Sequence, residues 1–177
     1  MERRNLLYLG AAVAAGVAGA GAAWLKHEPQ KLTTGQIDAA QDALWSMSFD
    51  APDGRPQAMD SFRGKPLLLN FWATWCPPCV EELPLLDAFY QQQKTKGWQV
   101  LGLAVDQPSA VRKWLQAKPL SFTIGMAGLN GTELSKSLGN LAGGLPFTVV
   151  FGASGSLLHR KTGKITPEDL VKWAQLK

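Results

Sequence analysis

The chain has few cysteines and few histidines, since its 177 residues include only two of each. A closed zinc site takes four such ligands and would need all of them. Yet His27 lies beside the N-terminal apolar segment and His159 lies far along the chain. Covalent haem attachment needs a histidine directly after the second cysteine, where Val80 stands. The scarcity of these residues argues against zinc and excludes covalently attached haem.

The two cysteines, Cys76 and Cys79, are separated by two prolines. A purely structural disulfide between them would close a very short loop and would constrain the unfolded chain little. A thiol pair that carries Cu(I) is a further alternative, but no nearby methionine or histidine offers a third ligand. The spacing therefore favours a redox-active dithiol, for which we expect neither a metal nor another cofactor.

Charge is absent from the segment Leu6 to Leu25, which is rich in alanine and glycine. A helix of about 20 residues spans the hydrocarbon core of a bilayer. Because Arg3 and Arg4 precede the segment, the positive-inside rule places the rest of the chain in the bacterial periplasm. We therefore predict that residues 1–26 form a single anchor in the inner membrane. A cleaved signal, leaving a soluble periplasmic protein, is the alternative, as is export through a twin-arginine signal.

The charge and length of the rest of the chain indicate how many domains it forms and which partners it binds. The formal net charge is +4, and the basic residues are scattered along the chain, so we expect no nucleic-acid partner. Residues 27–44 are polar with weak helical periodicity, and we predict that they form a linker. Residues 45–177 are sufficient for one domain with its own core.

Two continuous apolar runs, Leu67 to Trp72 and Val100 to Val105, are typical of strands that are buried on both faces of a sheet. Between these two runs, the residues from Pro77 to about Lys96 have apolar side chains at helical spacing. This order predicts a βαβ unit with parallel strands. Alternation of apolar and polar residues from Trp45 to Asp50 predicts a further, half-buried strand.

Later segments carry clear start and turn signals. Ser109 is a predicted N-cap of a helix, and the pair Thr166 and Pro167 predicts the start of the last helix. Apolar runs from Pro146 to Phe151 and from Ser156 to Lys161 are joined by a glycine- and serine-containing turn, which predicts a hairpin. The sheet is therefore predicted to be mixed.

Cys76 is the predicted nucleophile of the dithiol. It stands at the start of the predicted helix, where unpaired N–H groups and the positive end of the helix dipole favour a thiolate. Cys79 lies one turn further along and is predicted to be less exposed. We expect Cys79 to attack the mixed disulfide that Cys76 forms with a partner protein.

The segment Phe71 to Cys79, with Pro84 after it and Pro146 ahead of a later strand, resembles the thioredoxin superfamily. The segments Glu81 to Pro84 and Gly102 to Asp106 resemble its membrane-tethered branch of TlpA, ResA and DsbE thiol-disulfide oxidoreductases. The resemblance implies a thioredoxin-like three-layer α/β fold, in which helices flank a central mixed sheet. It also implies reduction of disulfides in selected exported proteins, such as apocytochromes c, with electrons from a membrane thiol carrier. An oxidase that forms disulfides and a copper metallochaperone are the alternatives.

The resemblance further implies the residues that meet a substrate. It implies a cis peptide bond between Leu145 and Pro146, with the proline packed against the disulfide and the Leu145 backbone presented to a substrate strand. We expect Trp75 to be exposed and to belong to the same docking surface. Pro77 and Pro78 stiffen the redox turn, and we assign them to that surface as well.

One position departs from the pattern of many thioredoxins, which carry a buried aspartate six residues before the first cysteine. Asn70 stands there in this chain and cannot take a proton. Glu82 lies three residues after Cys79, where the branch that the chain resembles places a functional carboxylate. Burial beside Leu86 and Phe89 would raise its pKa and let it act as a general base toward Cys79. The alternative is a solvated helix carboxylate.

Overall fold

The computed structural model describes residues 32–176 of the chain. The predicted anchor, and the first residues of the predicted linker, lie outside this part. Among the helices of residues 32–176, none is both long and apolar enough to cross a membrane.

Strands and helices alternate along most of the described chain. The strands are β1 (Ser48–Asp50), β2 (Pro56–Ala58), β3 (Leu67–Trp72), β4 (Gln99–Ala104), β5 (Thr123–Met126), β6 (Phe147–Phe151) and β7 (Leu157–Thr162). The α-helices are α1 (Thr34–Trp45), α2 (Pro77–Gln93), α3 (Pro108–Ala117), α4 (Asn130–Ser137) and α5 (Pro167–Trp173), and short 3-10 helices cover Met59–Phe62 and Lys94–Lys96.

The strands form one mixed sheet with the order β2-β1-β5-β4-β3-β6-β7. β3, β4 and β5 are parallel to one another, whereas β1 and β6 run antiparallel to the strands beside them. All six residues of β3 are buried, as its continuous apolar sequence predicts. The predicted β3-α2-β4 unit with parallel strands and the predicted β6-β7 hairpin are confirmed.

Two hydrophobic cores lie on opposite faces of the sheet, because successive side chains of a strand alternate. Leu68 and Trp72 point into a core that α2, α3 and α5 cover. Leu67, Leu69 and Phe71 point into a second core that α1 and α4 cover. Each large apolar side chain that is fully buried in this way contributes about 1.5–3 kcal/mol to folding. The predicted three-layer α/β fold is thus confirmed.

The prediction of a linker over residues 27–44 is wrong for the part that the structure describes. Thr33 caps α1 and forms a capping box with Gln36, so the polar sequence begins a helix. Leu44 and Trp45 at the end of α1 are buried in the second core, and the Trp45 indole N–H donates to the Gly155 carbonyl at 3.0 Å. The helix is therefore part of the domain, which begins before residue 45.

Two local predictions also need correction. Trp45 was predicted to begin a strand but ends α1, and the strand starts at Ser48. α3 begins at Pro108, with Gln107 rather than Ser109 in the N-cap position, because proline's fixed φ suits the first helical residue. At α5 the prediction is confirmed, since Thr166 caps the helix and Pro167 is its first residue.

Candidate active site

The two cysteines lie where β3 passes into α2, and a disulfide joins them. Cys76 is the N-cap residue of α2, and its carbonyl accepts hydrogen bonds from the N–H groups of Cys79 and Val80, both at 3.1 Å. Pro77 and Pro78 occupy the first turn, where a missing N–H costs no helical hydrogen bond. Cys76 keeps 5% of its surface exposed and Cys79 keeps 0%, so an incoming sulfur reaches Cys76 first.

The turn that precedes Cys76 is fixed by a side chain from the neighbouring strand. Asp106 follows β4 and accepts hydrogen bonds from the Thr74 N–H at 2.8 Å and from the Thr74 hydroxyl at 2.6 Å. Asp106 was not among the predicted site residues. Its position after a buried strand parallel to β3 was the signal, because parallel strands end at the same edge of a sheet.

The residues predicted for substrate contact border this turn. Trp75 is 66% exposed, as predicted, although it is a large apolar side chain next to the dithiol. Pro77 and Pro78 are exposed as well. An exposed tryptophan beside a reactive sulfur offers apolar contact area to a protein partner.

Leu145 and Pro146 approach the same edge of the sheet from β6. Their peptide bond is cis, as predicted. Phe147 pairs with Phe71 in the antiparallel β3-β6 ladder, so the two residues before Phe147 lie level with the end of β3. Pro146 is buried and Leu145 is half-buried. The fold therefore brings this loop to the edge of the sheet that carries the dithiol.

A buried asparagine holds the loop that leads to Leu145. The Asn140 side-chain amide donates a hydrogen bond to the Gly144 carbonyl at 2.8 Å. The backbone carbonyl of Asn140 accepts one from the Gly143 N–H at 2.7 Å. Asn140 is only 1% exposed. The loop before the cis peptide is consequently anchored from inside the protein.

Glu82 lies on α2 and is completely buried, so the alternative of a solvated helix carboxylate is wrong. Its Oε1 accepts a hydrogen bond from the Asn70 amide at 2.8 Å, and its Oε2 accepts one from the Ile165 backbone N–H, also at 2.8 Å. Glu82 follows Cys79 by three residues, and residues at this spacing are neighbours on a helix surface.

Burial raises the pKa of Glu82 from its ordinary value of 4.5 to about 7. Hydrogen bonds from Ile165 and Asn70 oppose this effect, as do the positive charges of Lys164 and Lys161. A carboxyl group with a pKa near neutrality can both accept and release a proton at physiological pH. The predicted burial of Glu82 is confirmed, and this burial is the cause of the raised pKa.

The described part of the chain contains no arrangement of side chains that would form a metal site. Within residues 32–176, no group of three or more His, Cys, Asp or Glu side chains is placed to hold a metal ion. The chain instead places a dithiol at the start of α2, a buried acid one turn further along that helix and a cis proline level with the end of β3.

Comparison with known proteins agrees with this site. The Redoxin family profile matches residues 38–174, which is most of the chain. The chain belongs to the Redoxin family. It is 30% identical over 122 residues to the thiol-disulfide oxidoreductase ResA of Bacillus thuringiensis, and the match covers 68% of each chain. The predicted resemblance to the ResA branch is confirmed.

Solved structures show the same fold. A thioredoxin-related protein from Neisseria meningitidis serogroup B superposes with a TM-score of 0.64 at 30% identity, covering 73% of this chain and 96% of that one. StoA from Bacillus subtilis superposes with a TM-score of 0.59 at 23% identity, covering 73% of this chain and 96% of StoA. Family, relatives and dithiol together identify this Redoxin family member as a thiol-disulfide oxidoreductase of the thioredoxin fold, with the Cys76–Cys79 pair as its redox group.

Proposed function

We propose that this protein reduces disulfides in selected exported proteins, with apocytochromes c before haem attachment as the substrate class. We place the domain on the periplasmic side of the bacterial inner membrane, held by residues 6–25. The observation that carries the proposal is the asymmetry of the dithiol: Cys76 keeps 5% of its surface exposed beside the exposed Trp75, whereas Cys79 is fully buried. The similarity to ResA supports the same reaction class.

The reaction is a two-step exchange that moves two electrons to the substrate. The Cys76 thiolate attacks one sulfur of the substrate disulfide, forms a mixed disulfide and releases the other sulfur as a thiolate. The Cys79 thiolate then attacks the Cys76 sulfur, which breaks the mixed disulfide and releases the second substrate thiolate. The products are a reduced substrate and the Cys76–Cys79 disulfide, and no cofactor beyond this pair is needed.

Glu82 serves as the general base for the second step. Cys79 is fully buried, so its proton has to pass to a group inside the protein. Glu82 lies one helical turn away, and its pKa of about 7 suits proton transfer near neutral pH. A membrane thiol carrier then returns two electrons to the Cys76–Cys79 disulfide, because the periplasm is an oxidising compartment.

The residues around the dithiol contact the substrate. Trp75, Pro77 and Pro78 form the exposed rim on one side of Cys76. On the other side, Pro146 cannot extend β6 toward the dithiol, because proline has no N–H to donate to a neighbouring strand. The Leu145 backbone is therefore left available for pairing with an extended substrate segment.

Trapping tests the proposed reaction directly. A peptide with the two-cysteine haem-attachment sequence, oxidised to its disulfide, is mixed with reduced Cys79→Ser protein. We expect a stable mixed disulfide on Cys76, because the second attack is lost. The matched Cys76→Ser protein should trap nothing, since Cys79 is buried. A trap that forms on Cys79, or no trap with either variant, would refute the assignment of Cys76.

The reduction potential tests the direction of the reaction. A reductase should lie closer to thioredoxin, at about −270 mV, than to the oxidant DsbA, at about −120 mV. Equilibration with glutathione or dithiothreitol, followed by alkylation of free thiols, measures the potential. A value near that of DsbA would favour the disulfide-forming oxidase. Stoichiometric, tight binding of Cu(I) to the reduced protein would favour the copper carrier.

A further inference from the structure

The hydrogen-bond ladder between β6 and β7 ends at Gly163. Its last hydrogen bond joins the Gly163 N–H to the Pro146 carbonyl at 2.9 Å, in the register of the two strands. In an antiparallel pair every second residue of one strand donates to the other strand. If the strands continued in this register, the Ile165 N–H would therefore donate to the carbonyl of Gly144.

Both groups of that missing hydrogen bond have a different partner. The Gly144 carbonyl accepts from the Asn140 side-chain amide at 2.8 Å. The Ile165 N–H donates to Glu82 Oε2, also at 2.8 Å. Ile165 is 1% exposed and Glu82 is completely buried, so water does not compete for this contact. A backbone donor that the sheet would otherwise use thus serves a buried carboxylate on α2.

Gly163 turns the chain away from the ladder. Its φ is +89°, which lies in the left-handed region that glycine adopts easily and other residues rarely adopt. A Cβ at this position would meet no atom within 4 Å, so crowding does not account for the glycine. The backbone conformation accounts for it, because the turn leaves the Ile165 N–H facing α2.

We propose that Gly163 is a positioning residue for the general base: its turn takes the Ile165 N–H out of the β6-β7 ladder and directs it to Glu82, where it favours the ionised carboxylate. The inference rests on the proposed role of Glu82. In the resolving step the Cys79 sulfur gives its proton to Glu82, bonds to the Cys76 sulfur and displaces the substrate thiolate. Only an ionised Glu82 accepts that proton, so the Ile165 N–H helps to set the pH range in which the base acts.

The pKa of Glu82 reflects this contact. Burial has the largest effect and raises the pKa, whereas the Ile165 hydrogen bond comes first among the effects that lower it. Hydrogen bonds to ionised groups are stronger than those between neutral groups. Loss of the Ile165 hydrogen bond should therefore raise the midpoint of the Glu82 titration by about one pH unit.

Two lysines near Glu82 also favour its ionised form. Lys161 belongs to β7 and pairs with Asp169 of α5. Lys164 lies in the turn after β7 and pairs with Glu81 of α2 at 2.7 Å. A change in the turn could move these lysines as well, so the test has to read the hydrogen bond itself and not only the midpoint.

The remaining neighbours of Glu82 keep their charge in the oxidised protein. Cys79, on the same helix, is held in the disulfide. Asn70 on β3 donates the second direct hydrogen bond to the carboxylate, at 2.8 Å, and Thr148 on β6 contacts Asn70. Both side chains are neutral. The oxidised protein is therefore the form in which the titration of Glu82 is observed without that of Cys79.

NMR of the full-length oxidised protein in detergent, labelled with ¹⁵N and ¹³C, reads both ends of the hydrogen bond. The Glu82 carboxyl carbon reports its protonation, and the Ile165 amide proton reports the contact. In the natural protein we expect the amide proton to move upfield as Glu82 binds its proton, with the same midpoint. An Ile165 amide that does not follow the Glu82 titration would overturn the proposal.

Gly163→Pro tests the turn, because proline cannot adopt a positive φ. We expect the Ile165 amide proton to lie upfield at every pH and the Glu82 midpoint to rise by about one unit. Resolution of mixed disulfides should slow about five-fold at pH 7 and recover at higher pH, since a smaller fraction of Glu82 is then ionised at pH 7. A folded variant with the Ile165 signal and Glu82 midpoint of the natural protein would refute the role of Gly163.

The matched control is Gly54→Pro. Gly54 has the same φ of +89° and equally open surroundings. Its N–H also makes one backbone hydrogen bond, to the Ala51 carbonyl at 2.9 Å, but it lies in the turn between β1 and β2. This variant should lower stability and leave the Glu82 midpoint in place. An equal shift of the midpoint in both variants would show that general destabilisation is the cause.

Two further variants at position 163 complete the test. Gly163→Asn should stay close to the natural midpoint, because asparagine tolerates a positive φ better than other residues with a side chain. If Gly163→Pro fails to fold, Gly163→Val takes its place, since a β-branched residue strongly disfavours a positive φ and keeps the N–H. Normal trapping by Cys79→Ser with an unmoved midpoint in the Gly163 variants would refute the positioning role alone. Loss of the trap would refute the proposed function and leave the contact between Ile165 and Glu82 intact.

Discussion

The Asp106 carboxylate holds Thr74 through two hydrogen bonds on the same oxygen, from the N–H at 2.8 Å and from the hydroxyl at 2.6 Å. Its other oxygen accepts from the Gln107 N–H at 2.7 Å. Thr74 lies two residues before Cys76, so the contact ties the redox turn to the end of β4. The exposed Trp75 stands between them and depends on the same support.

Replacing Asp106 should loosen this turn. We expect Asp106→Ala to lower the free energy of unfolding by about 2 kcal/mol, because hydrogen bonds to a charged group are lost. The alkylation rate of reduced Cys76 should change with it, since the thiol loses its fixed position. Thr74→Val removes only the hydroxyl and should have a smaller effect on both quantities. Equal behaviour of Asp106→Ala and the natural protein would show that the contact is dispensable.

Proton transfer through Glu82 predicts a pH dependence of catalysis. A base acts in its ionised form, so the resolution of mixed disulfides should speed up as the pH rises through about 7. Glu82→Gln keeps the shape and removes the titration, so resolution should slow and this pH dependence should disappear. Stopped-flow tryptophan fluorescence measures the rate, and Glu81→Gln, on the exposed side of the same helix, is the matched control. A Glu82→Gln profile that overlays the natural one would exclude Glu82 as the base.

The same group predicts a pH dependence of stability. The folded state raises the pKa of Glu82 from 4.5 to about 7, so it binds the proton more tightly than the unfolded chain does. This contribution is fully present below pH 4.5 and is lost as the pH rises to about 7, with a size of about 3 kcal/mol. Urea unfolding at several pH values should show that the difference between Glu82→Gln and the natural protein varies over this window. A difference that is constant with pH would contradict the shifted pKa.

The elements around the dithiol could be predicted because their sequence signals are local. β3 is apolar apart from Asn70, Cys76 and Cys79 have the spacing of a helical redox turn, and Thr166 with Pro167 forms a strong helix start. The burial of Glu82 was one of two alternatives, favoured by its helical spacing from Cys79 and by the resemblance to the ResA branch. For the strand, the redox turn and the helix start, neighbouring residues carry the whole signal.

Other features depended on contacts between distant parts of the chain. α1 has only three large apolar side chains and is stabilised where two of them, Leu44 and Trp45, enter the second core. β5 was not predicted, because its four residues include a glycine and gain their order from pairing with β4. The hydrogen bonds of Asp106 join β4 to a turn 32 residues earlier. Periodicity within one segment does not reveal such pairings.

Leu44 tests whether α1 belongs to the folded domain. It is completely buried in the second core, so Leu44→Ala should lower the free energy of unfolding by about 2–5 kcal/mol. Denaturant unfolding measures the change, and the exposed Ala43→Gly variant serves as a control for helix propensity, with an expected loss of about 1 kcal/mol. A loss at Leu44 no larger than at position 43 would restore the interpretation of this segment as a linker.

Membrane attachment through residues 6–25 is the last prediction. The segment has no charged residue and is about long enough to cross the hydrocarbon core, although its alanines and glycines make it weakly hydrophobic. We expect the protein to stay with the membrane fraction through a high-salt wash and to be released by detergent, because salt screens charge but does not weaken burial in lipid. The control is a form in which a cleavable signal peptide replaces residues 1–26, and it should be soluble. A soluble form of the natural protein that begins near Ala23 or Trp24 would show instead that the segment is removed after export.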